Sequence, residues 1–353
     1  MSIQTRPFGH MPDGEPVTEY ILTNGNGLTA TFLDLGGIWR QMLVPDREGR
    51  MEDVVLGYDT VEAYLADTYN FGALVGRNAN RIGGASLELN GVTYHLAVNS
   101  GLRDNLHSGP ELYGRRKWRA EQVALEGAEG LQFSLSSPDG DQGYPGNAEI
   151  RVTYALREDN ALVIRYQVES DADTICNLTN HAYFNLDGHG AQTAMEQEVW
   201  IDAKRYSPAD QYSIPTGELA PVQGTPMDFT RFKPIAQDIA APFDQLTMAG
   251  GYDHNWVLDH PTGALSLSAA AYSPASGRKM EVWTTLPGIQ FYTGNYMDPN
   301  IAGKGGVRYG RRGGYCFETQ YYPDAIHHPE QPSPILRAGE CAETCTVYRF
   351  LIQ

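Results

Sequence analysis

Over residues 86–96 the chain alternates apolar and polar side chains around Asn90-Gly91, with Leu87 and Leu89 before the dipeptide and Val92, Tyr94 and Leu96 after it. Asn-Gly tolerates the positive φ angles of a two-residue turn, and a period of two sends successive side chains to opposite faces of a strand. The segment predicts a β-hairpin. A second hairpin is expected over residues 149–169, where Ile150, Val152 and Tyr154 alternate before Asp159-Asn160 and a run rich in β-branched and aromatic residues follows. Similar short runs at residues 20–22, 28–33, 131–135, 281–285 and 345–352 lie between turns of Gly, Pro, Asn and Asp. Helical signals are few and short, residues 61–66 being the best. A chain punctuated in this way is confined to a strand-rich fold.

At 353 residues it fits either one large all-β unit or two smaller domains. No Ser/Gly-rich or uniformly charged stretch separates two composition regimes and no repeat is visible, so a single domain over residues 1–353 is expected. A hydrophobic content of 41% excludes a disordered chain. The net charge of -17, from 26 Lys+Arg against 43 Asp+Glu, repels phosphate backbones and anionic lipid, so neither nucleic acid nor a membrane is expected as a partner. The first 20 residues are polar and lack the apolar stretch of an export signal, and no run approaches the roughly 18 apolar residues of a membrane span; a cytoplasmic protein is expected. Cys176, Cys316, Cys341 and Cys345 are too scattered for a disulfide framework and are read as thiols. Whether the chain is a monomer or a homodimer is left open.

Several motif look-alikes fail on context. Gly25-Asn26-Gly27-Leu28-Thr29-Ala30 fits a dinucleotide fingerprint, but a β-like run follows it instead of a helix. Gly303-Lys304 is followed by Gly305 and lacks the leading glycine of a P-loop. Cys341 and Cys345, His327-His328, and His254 with His260 have no matching second ligand cluster, so no metal is expected. The stretch 294–314, with seven glycines among Lys304, Arg308, Arg311 and Arg312, reads as an ordered surface loop.

What remains is a set of polar groups inside apolar or aromatic segments, where burial without a partner costs several kcal/mol, on the order of 2–7. Asn180, His181, Tyr183 and Asn185 lie in Thr-Asn-His-Ala-Tyr-Phe-Asn-Leu, and Glu318 lies in Tyr-Cys-Phe-Glu-Thr-Gln-Tyr. Asn105-Leu106-His107-Ser108-Gly109, Gly251-Tyr252-Asp253-His254-Asn255 and Gly76-Arg77-Asn78-Ala79-Asn80-Arg81-Ile82 add a histidine, a carboxylate and two arginines. Singly, each is more often a satisfied structural group.

Together these segments resemble the aldose 1-epimerase, or galactose mutarotase, family. The resemblance is carried in order by Asn80-Arg81-Ile82, by residues 105–109, by Asp-Gly-Asp-Gln-Gly-Tyr-Pro-Gly at 139–146, by residues 179–186 and 251–255, by Pro-Gly-Ile-Gln-Phe-Tyr-Thr-Gly-Asn at 287–295, and by Glu-Thr-Gln-Tyr-Tyr-Pro-Asp-Ala at 318–325. It implies a large antiparallel β-sandwich with few short helices and a wide polar cleft. The implied activity is interconversion of the α and β anomers of free aldohexoses such as galactose and glucose, with a monosaccharide as the small-molecule partner and no cofactor. Glu318 is implied as the general base that takes the C1 hydroxyl proton, and His181 as the acid that protonates the ring oxygen. His107 would help to polarise that oxygen, while Asn80, Arg81, Asp253, Gln290 and Tyr183 would hold hydroxyls.

The residue types suit the chemistry. An exposed Glu near a pKa of about 4.3 is ionised at neutral pH, and a His near about 6.5 can donate there. Trp283, Phe291 and Tyr292 could pack against sugar C–H faces. Residues 110–118 (Pro-Glu-Leu-Tyr-Gly-Arg-Arg-Lys-Trp) depart from the usual family sequence, which leaves the cleft rim and the preferred sugar open. A glycoside hydrolase using Asp253 and Glu318, or a non-catalytic sugar-binding module, are the alternatives.

Overall fold

The computed structural model describes residues 2–353. It is a large antiparallel β-sandwich with two short α-helices among the described residues, Val61–Ala66 and Asp244–Ala249. A nine-stranded sheet runs in the order Arg119–Leu125, Ala128–Ser137, Ala148–Leu156, Ala161–Ser170, Cys341–Ile352, Arg278–Thr284, Ser266–Tyr272, Glu198–Ile201, Lys233–Pro234. A six-stranded sheet runs Tyr183–Phe184, Tyr315–Gln320, Gly288–Tyr292, Asp253–Val257, Arg205–Ser207, Ala220–Pro221. The N-terminal strands form a five-stranded meander from Ser2–His10 to Met51–Asp53.

Both expected hairpins are present. Ser86–Leu89 pairs with Val92–His95 across Asn90 (φ 54°) and Gly91 (φ 76°), the positive angles that the dipeptide was read to supply. Ala148–Leu156 pairs with Ala161–Ser170, and Asn160 (φ 64°) sits in the connection. The helix expected at residues 61–66 starts where Thr60 caps it, the side chain accepting from Ala63 N–H at 3.2 Å. Gly25–Ala30 leads into the strand Thr29–Leu33, as the rejection of a nucleotide loop requires. The glycine-rich stretch contains only the short pair Ile301–Ala302 with Arg308–Tyr309.

The core lies where the sheets face one another. Trp256, Phe291, Tyr315 and Phe317 of the six-stranded sheet share one buried cluster with Met280, Val282, Tyr348 and Phe350 of the nine-stranded sheet and with Phe32, Trp39 and Met42 of the meander. Tyr348 spans the interface, its hydroxyl donating to the Phe317 carbonyl at 2.8 Å. Alternation then dictates the opposite face: in Tyr315–Gln320, Tyr315 and Phe317 point into this core, so Cys316, Glu318 and Gln320 point away from it. Asp253 and Gln290 share that outer face, because Asn255 and Glu318 stand opposite Gln290 in the ladder and Asp253 stands opposite Tyr292.

All four cysteines are free thiols. No helix of the described residues is long and apolar enough to cross a membrane.

Candidate active site

On that outer face a cavity of about 170 Å³ is lined by Asn80, Arg81, His107, His181, Tyr183, Asp253 and Glu318, together with Thr68, Tyr69, Asn70, Leu106, Tyr292 and Tyr296. It has room for one small polar molecule. A larger groove of about 1180 Å³ lies elsewhere, among residues such as Lys204, Arg231 and Asp259, and none of the residues selected from sequence reaches it.

Separate segments assemble the site. His181 follows the short strand Thr179–Asn180, and its backbone is bonded in both directions to the 72–73 segment, with Gly72 N–H to its carbonyl at 3.0 Å and its own N–H to Ala73 at 2.9 Å. Asn180 is structural: its amide donates to the Gly72 carbonyl at 2.8 Å and accepts from Ala182 N–H at 3.0 Å. Asn185 is likewise used up, bonded to the Gly313 carbonyl at 2.8 Å and to Gln197 at 2.7 Å. Of the polar residues in this motif, only His181 and Tyr183 reach the cavity.

The Asn-Arg-Ile and Asn-Leu-His segments meet as strands, Asn105 opposite Ile82 and Leu106 opposite Arg81. Asn80 (φ 64°) and His107 (φ 54°) both adopt left-handed backbone, which a non-glycine residue holds only when its surroundings over-determine it. Two bonds do so here: His107 N–H to the Asn80 carbonyl at 2.9 Å, and Asn80 N–H to His107 Nδ1 at 3.1 Å. Asn105 serves the loop, donating to Ala97 and Gly109 carbonyls at 2.7 and 2.9 Å. Arg77 is also structural, its guanidinium donating to Pro145 and Gly146 carbonyls and to Ser137.

The reacting groups are close. His181 Nε2 lies 3.5 Å from Glu318 Oε2. The His181 ring stacks on Tyr183 with centroids 5.1 Å apart, and the His107 ring meets it edge-on at 5.3 Å. Glu318 is 2% exposed and its Oε2 has no hydrogen-bond partner, while Arg81 Nε is also unpartnered. These open valences face the space that a ligand's hydroxyls would fill.

The electrostatics correct the sequence-based expectation of an exposed glutamate and an ordinary histidine. Burial pushes the Glu318 carboxyl well above the usual range, the nearby Asp253 charge adds to this, and Arg81 opposes it. Burial pushes His181 down to about 4 and His107 well below 6.5. Asp253 is raised by burial against the pull of Arg81 and Gln290. A glutamate raised toward neutrality beside a histidine lowered from it can exchange one proton at little cost, the condition for reversible acid–base work.

Gln290 is not a wall residue. It is 3% exposed and stands behind Asp253, donating to Oδ1 at 2.7 Å, so it aims the carboxylate that was expected to share its role. Trp283 lies on the nine-stranded sheet and Phe291 in the main core, leaving Tyr292 as the aromatic of that trio at the cavity. The cations of the divergent loop are engaged elsewhere: Arg115 with the Asp67 carbonyl at 2.7 Å, Arg116 with Asp141 at 2.7 Å, Lys117 with Asp34 at 2.8 Å. Thr68, Tyr69, Asn70 and Tyr296 were missed. Asp67 accepts from Tyr69 and Phe71 N–H groups at 2.8 Å each, and an Asp two residues before an aromatic was the available signal for such a turn.

His107, His181 and Glu318 also offer ligand-type atoms within 4.8 Å of one another, a juxtaposition not anticipated from sequence. The hydrogen bonding of His107 does not suit a metal. A metal-bound imidazole donates its other ring N–H, whereas Nδ1 of His107 accepts from Asn80, which places its proton on Nε2.

A family model described as aldose 1-epimerase matches residues 18–349. The chain is 38% identical to galactose mutarotase of Homo sapiens over 351 residues, covering 99% of each, and 35% identical to aldose 1-epimerase of Escherichia coli (strain K12), covering 97% of each. Among solved structures, galactose 1-epimerase from Lactobacillus acidophilus NCFM superposes with a TM-score of 0.85 at 25% identity over 99% of each chain. The GalM/aldose epimerase homologue from C. elegans does so with a TM-score of 0.83 at 31% identity, covering 94% of this chain and 98% of its own.

Proposed function

As the chain belongs to the aldose 1-epimerase family, we propose that the cavity at Glu318 is where it opens and recloses the sugar ring. The protein is an isomerase that interconverts α and β anomers of aldoses, galactose among them. The observation that supports the site assignment is the 3.5 Å approach of His181 Nε2 to Glu318 Oε2 in a buried cavity edged by Arg81 and Asp253.

In this reading the ionised Glu318 accepts the C1 hydroxyl proton while His181 delivers a proton from Nε2 to the ring oxygen, and the C1–O5 bond breaks to leave an open-chain aldehyde. Rotation about C1–C2 presents the other carbonyl face. Ring closure then runs the transfers in reverse, so each group ends in its starting protonation state. Burial in the empty pocket favours the proton on Glu318 and a neutral imidazole. Hydroxyls donating to the carboxylate stabilise its ionised form, which moves the proton to the histidine as the sugar seats. His107, fixed as an Nε2–H donor, is placed to polarise the ring oxygen, and general acid–base assistance of about 10² to 10⁴ per group suffices for a reaction that already runs in water.

Asn80, Arg81, Tyr183 and Asp253 hold hydroxyls in this reading, with Gln290 steering Asp253 from behind. The substrate is an unphosphorylated monosaccharide, since Arg115, Arg116 and Lys117 are committed to other partners and Arg81 stands between two buried carboxyls. No metal or other cofactor enters the scheme. The chain acts as one domain in the cytoplasm, the compartment inferred from its sequence. Polarimetry of freshly dissolved α-galactose tests the function: the protein should accelerate the approach to the equilibrium rotation. Binding without acceleration, or release of sugar from an aryl galactoside, would replace this reading with a binding module or a hydrolase.

A further inference from the structure

We propose that Cys316 is a positioning residue for the reaction, its thiol holding the Nδ1 side of His181 so that Nε2 carries the proton delivered to the sugar. The inference rests on the assignment of His181 as the acid.

Cys316 Sγ lies 3.6 Å from His181 Nδ1, and the side chain is 0% exposed. It shares a strand face with Glu318 two residues on, so one strand engages the ring from both sides, the carboxylate near Nε2 and the thiol near Nδ1. Burial, with the charges of Glu318 and Asp253, pushes the thiol well above its ordinary range, so the S–H is retained. A retained S–H can donate to a bare Nδ1 and place the neutral ring's proton on Nε2. When the ring is protonated on both nitrogens, the same sulfur can accept from Nδ1–H.

The other histidine of the pocket shows why this matters. Nδ1 of His107 faces a backbone N–H that can only donate, so a second proton on that ring would forfeit the bond and His107 remains a fixed donor. His181 must alternate between two protonation states, and a weak partner that can either donate or accept penalises neither. A carboxylate in place of Cys316 would lock the imidazolium, and an apolar side chain would leave the tautomer unset. The competing arrangement turns an Nδ1 proton toward the carbonyl of His181 itself, which already accepts from Gly72, and it would strip Nε2 of the proton the reaction needs. No bond to sulfur forms and no electron moves.

The test compares full-length Cys316→Ala, Cys316→Ser and His181→Asn proteins in the mutarotation assay, with ¹⁵N-histidine spectra in which His181 is assigned by its loss in the His181→Asn protein. Loss of one weak hydrogen bond should lower kcat of Cys316→Ala about three- to tenfold with KM within about twofold. Cys316→Ser, which keeps a group able to donate or accept, should retain most of the activity. The neutral wild-type ring should show the Nε2–H tautomer and Cys316→Ala a mixture. An unchanged kcat in folded Cys316→Ala, or an Nδ1–H tautomer in the wild type, overturns the inference, and the wild-type spectrum decides even if the alanine variant does not fold. If His181→Asn is inactive and Cys316→Ala is not impaired, this inference fails while the function stands. If His181→Asn keeps wild-type kcat, the assignment of the acid fails first.

Discussion

Glu318 and Asp253 lie in one cavity and share the carboxyl group, yet their roles separate by when each contact is made. A proton transfer exists only in the transition state, whereas a hydroxyl contact exists in the ground state as well. Glu318→Gln should therefore lower kcat by about 10² or more with KM little changed, while Asp253→Asn should act mainly on KM. In wild type the rate should fall as pH drops through the Glu318 pKa, because the protonated base cannot accept. That limb should lie above the ordinary carboxylate range, since burial raises the group, and rate–pH profiles should show it missing in Glu318→Gln. A folded Glu318→Gln protein with near wild-type kcat removes Glu318 as the base. The metal question is decided at the same scale: dialysis against a strong chelator should leave the rate unaltered, and a loss restored by zinc would show that His107, His181 and Glu318 hold an ion after all.

Two glycines show how elements, as opposed to single side chains, place the histidine. Gly91 (φ +76°) turns an exposed hairpin, with nothing within 4 Å of where a Cβ would stand. Gly91→Ala should cost only the left-handed backbone penalty, about 1–2 kcal/mol, with activity intact. Gly72 (φ +68°) lies where the meander meets the 181 segment; a Cβ there would fall 2.1 Å from the Trp39 carbonyl oxygen, and its own carbonyl accepts from Trp39 N–H and Asn180. Backbone cannot yield as a flexible side chain can. Gly72→Ala should lower the urea midpoint well beyond Gly91→Ala and, in whatever folds, reduce kcat by displacing His181. Equal effects of the two substitutions would show that the strand junction does not set the site.

Taken as a whole, the molecule buries titratable groups with opposite preferences, so its acid stability is a sum of opposing slopes. The folded pKa of His254 is lowered from 6.5 to about 4 by burial. Its contribution to stability is therefore fully present above about 6.5 and is lost as pH falls to about 4, roughly 3 kcal/mol over that window. Glu318 and Asp253 act in the other direction: their folded pKa values are raised, so their contribution is present at low pH and is lost as pH rises through those values. His254 isolates one slope, since it shares its strand face with Trp256 and packs near the Tyr206 ring on the side away from the cavity. Urea titrations at pH 7 and pH 4.5 should show a smaller loss of stability for His254→Asn than for wild type, and an equal loss would mean that His254 titrates normally. Each titration should be a single cooperative transition if the chain is one domain, because the main cluster draws on all three large sheets. What the sequence determined alone was local: the Asn90-Gly91 hairpin, the 61–66 helix and the strand alternation of 315–320 depend on neighbours within a few residues, and the family motifs named the chemistry in order. The tertiary structure decided which motif residues reach the cavity and which, like Asn180, Asn185 and Arg77, are spent on backbone carbonyls; it also withdrew Gln290 to a place behind Asp253 and brought Thr68, Tyr69 and Tyr296 to the rim. Desolvation and the approach of groups remote in sequence set those outcomes, and neither is a property of any short segment: Glu318 is an ordinary acid in the chain and a raised one only once 137 residues of separation from His181 have closed to 3.5 Å.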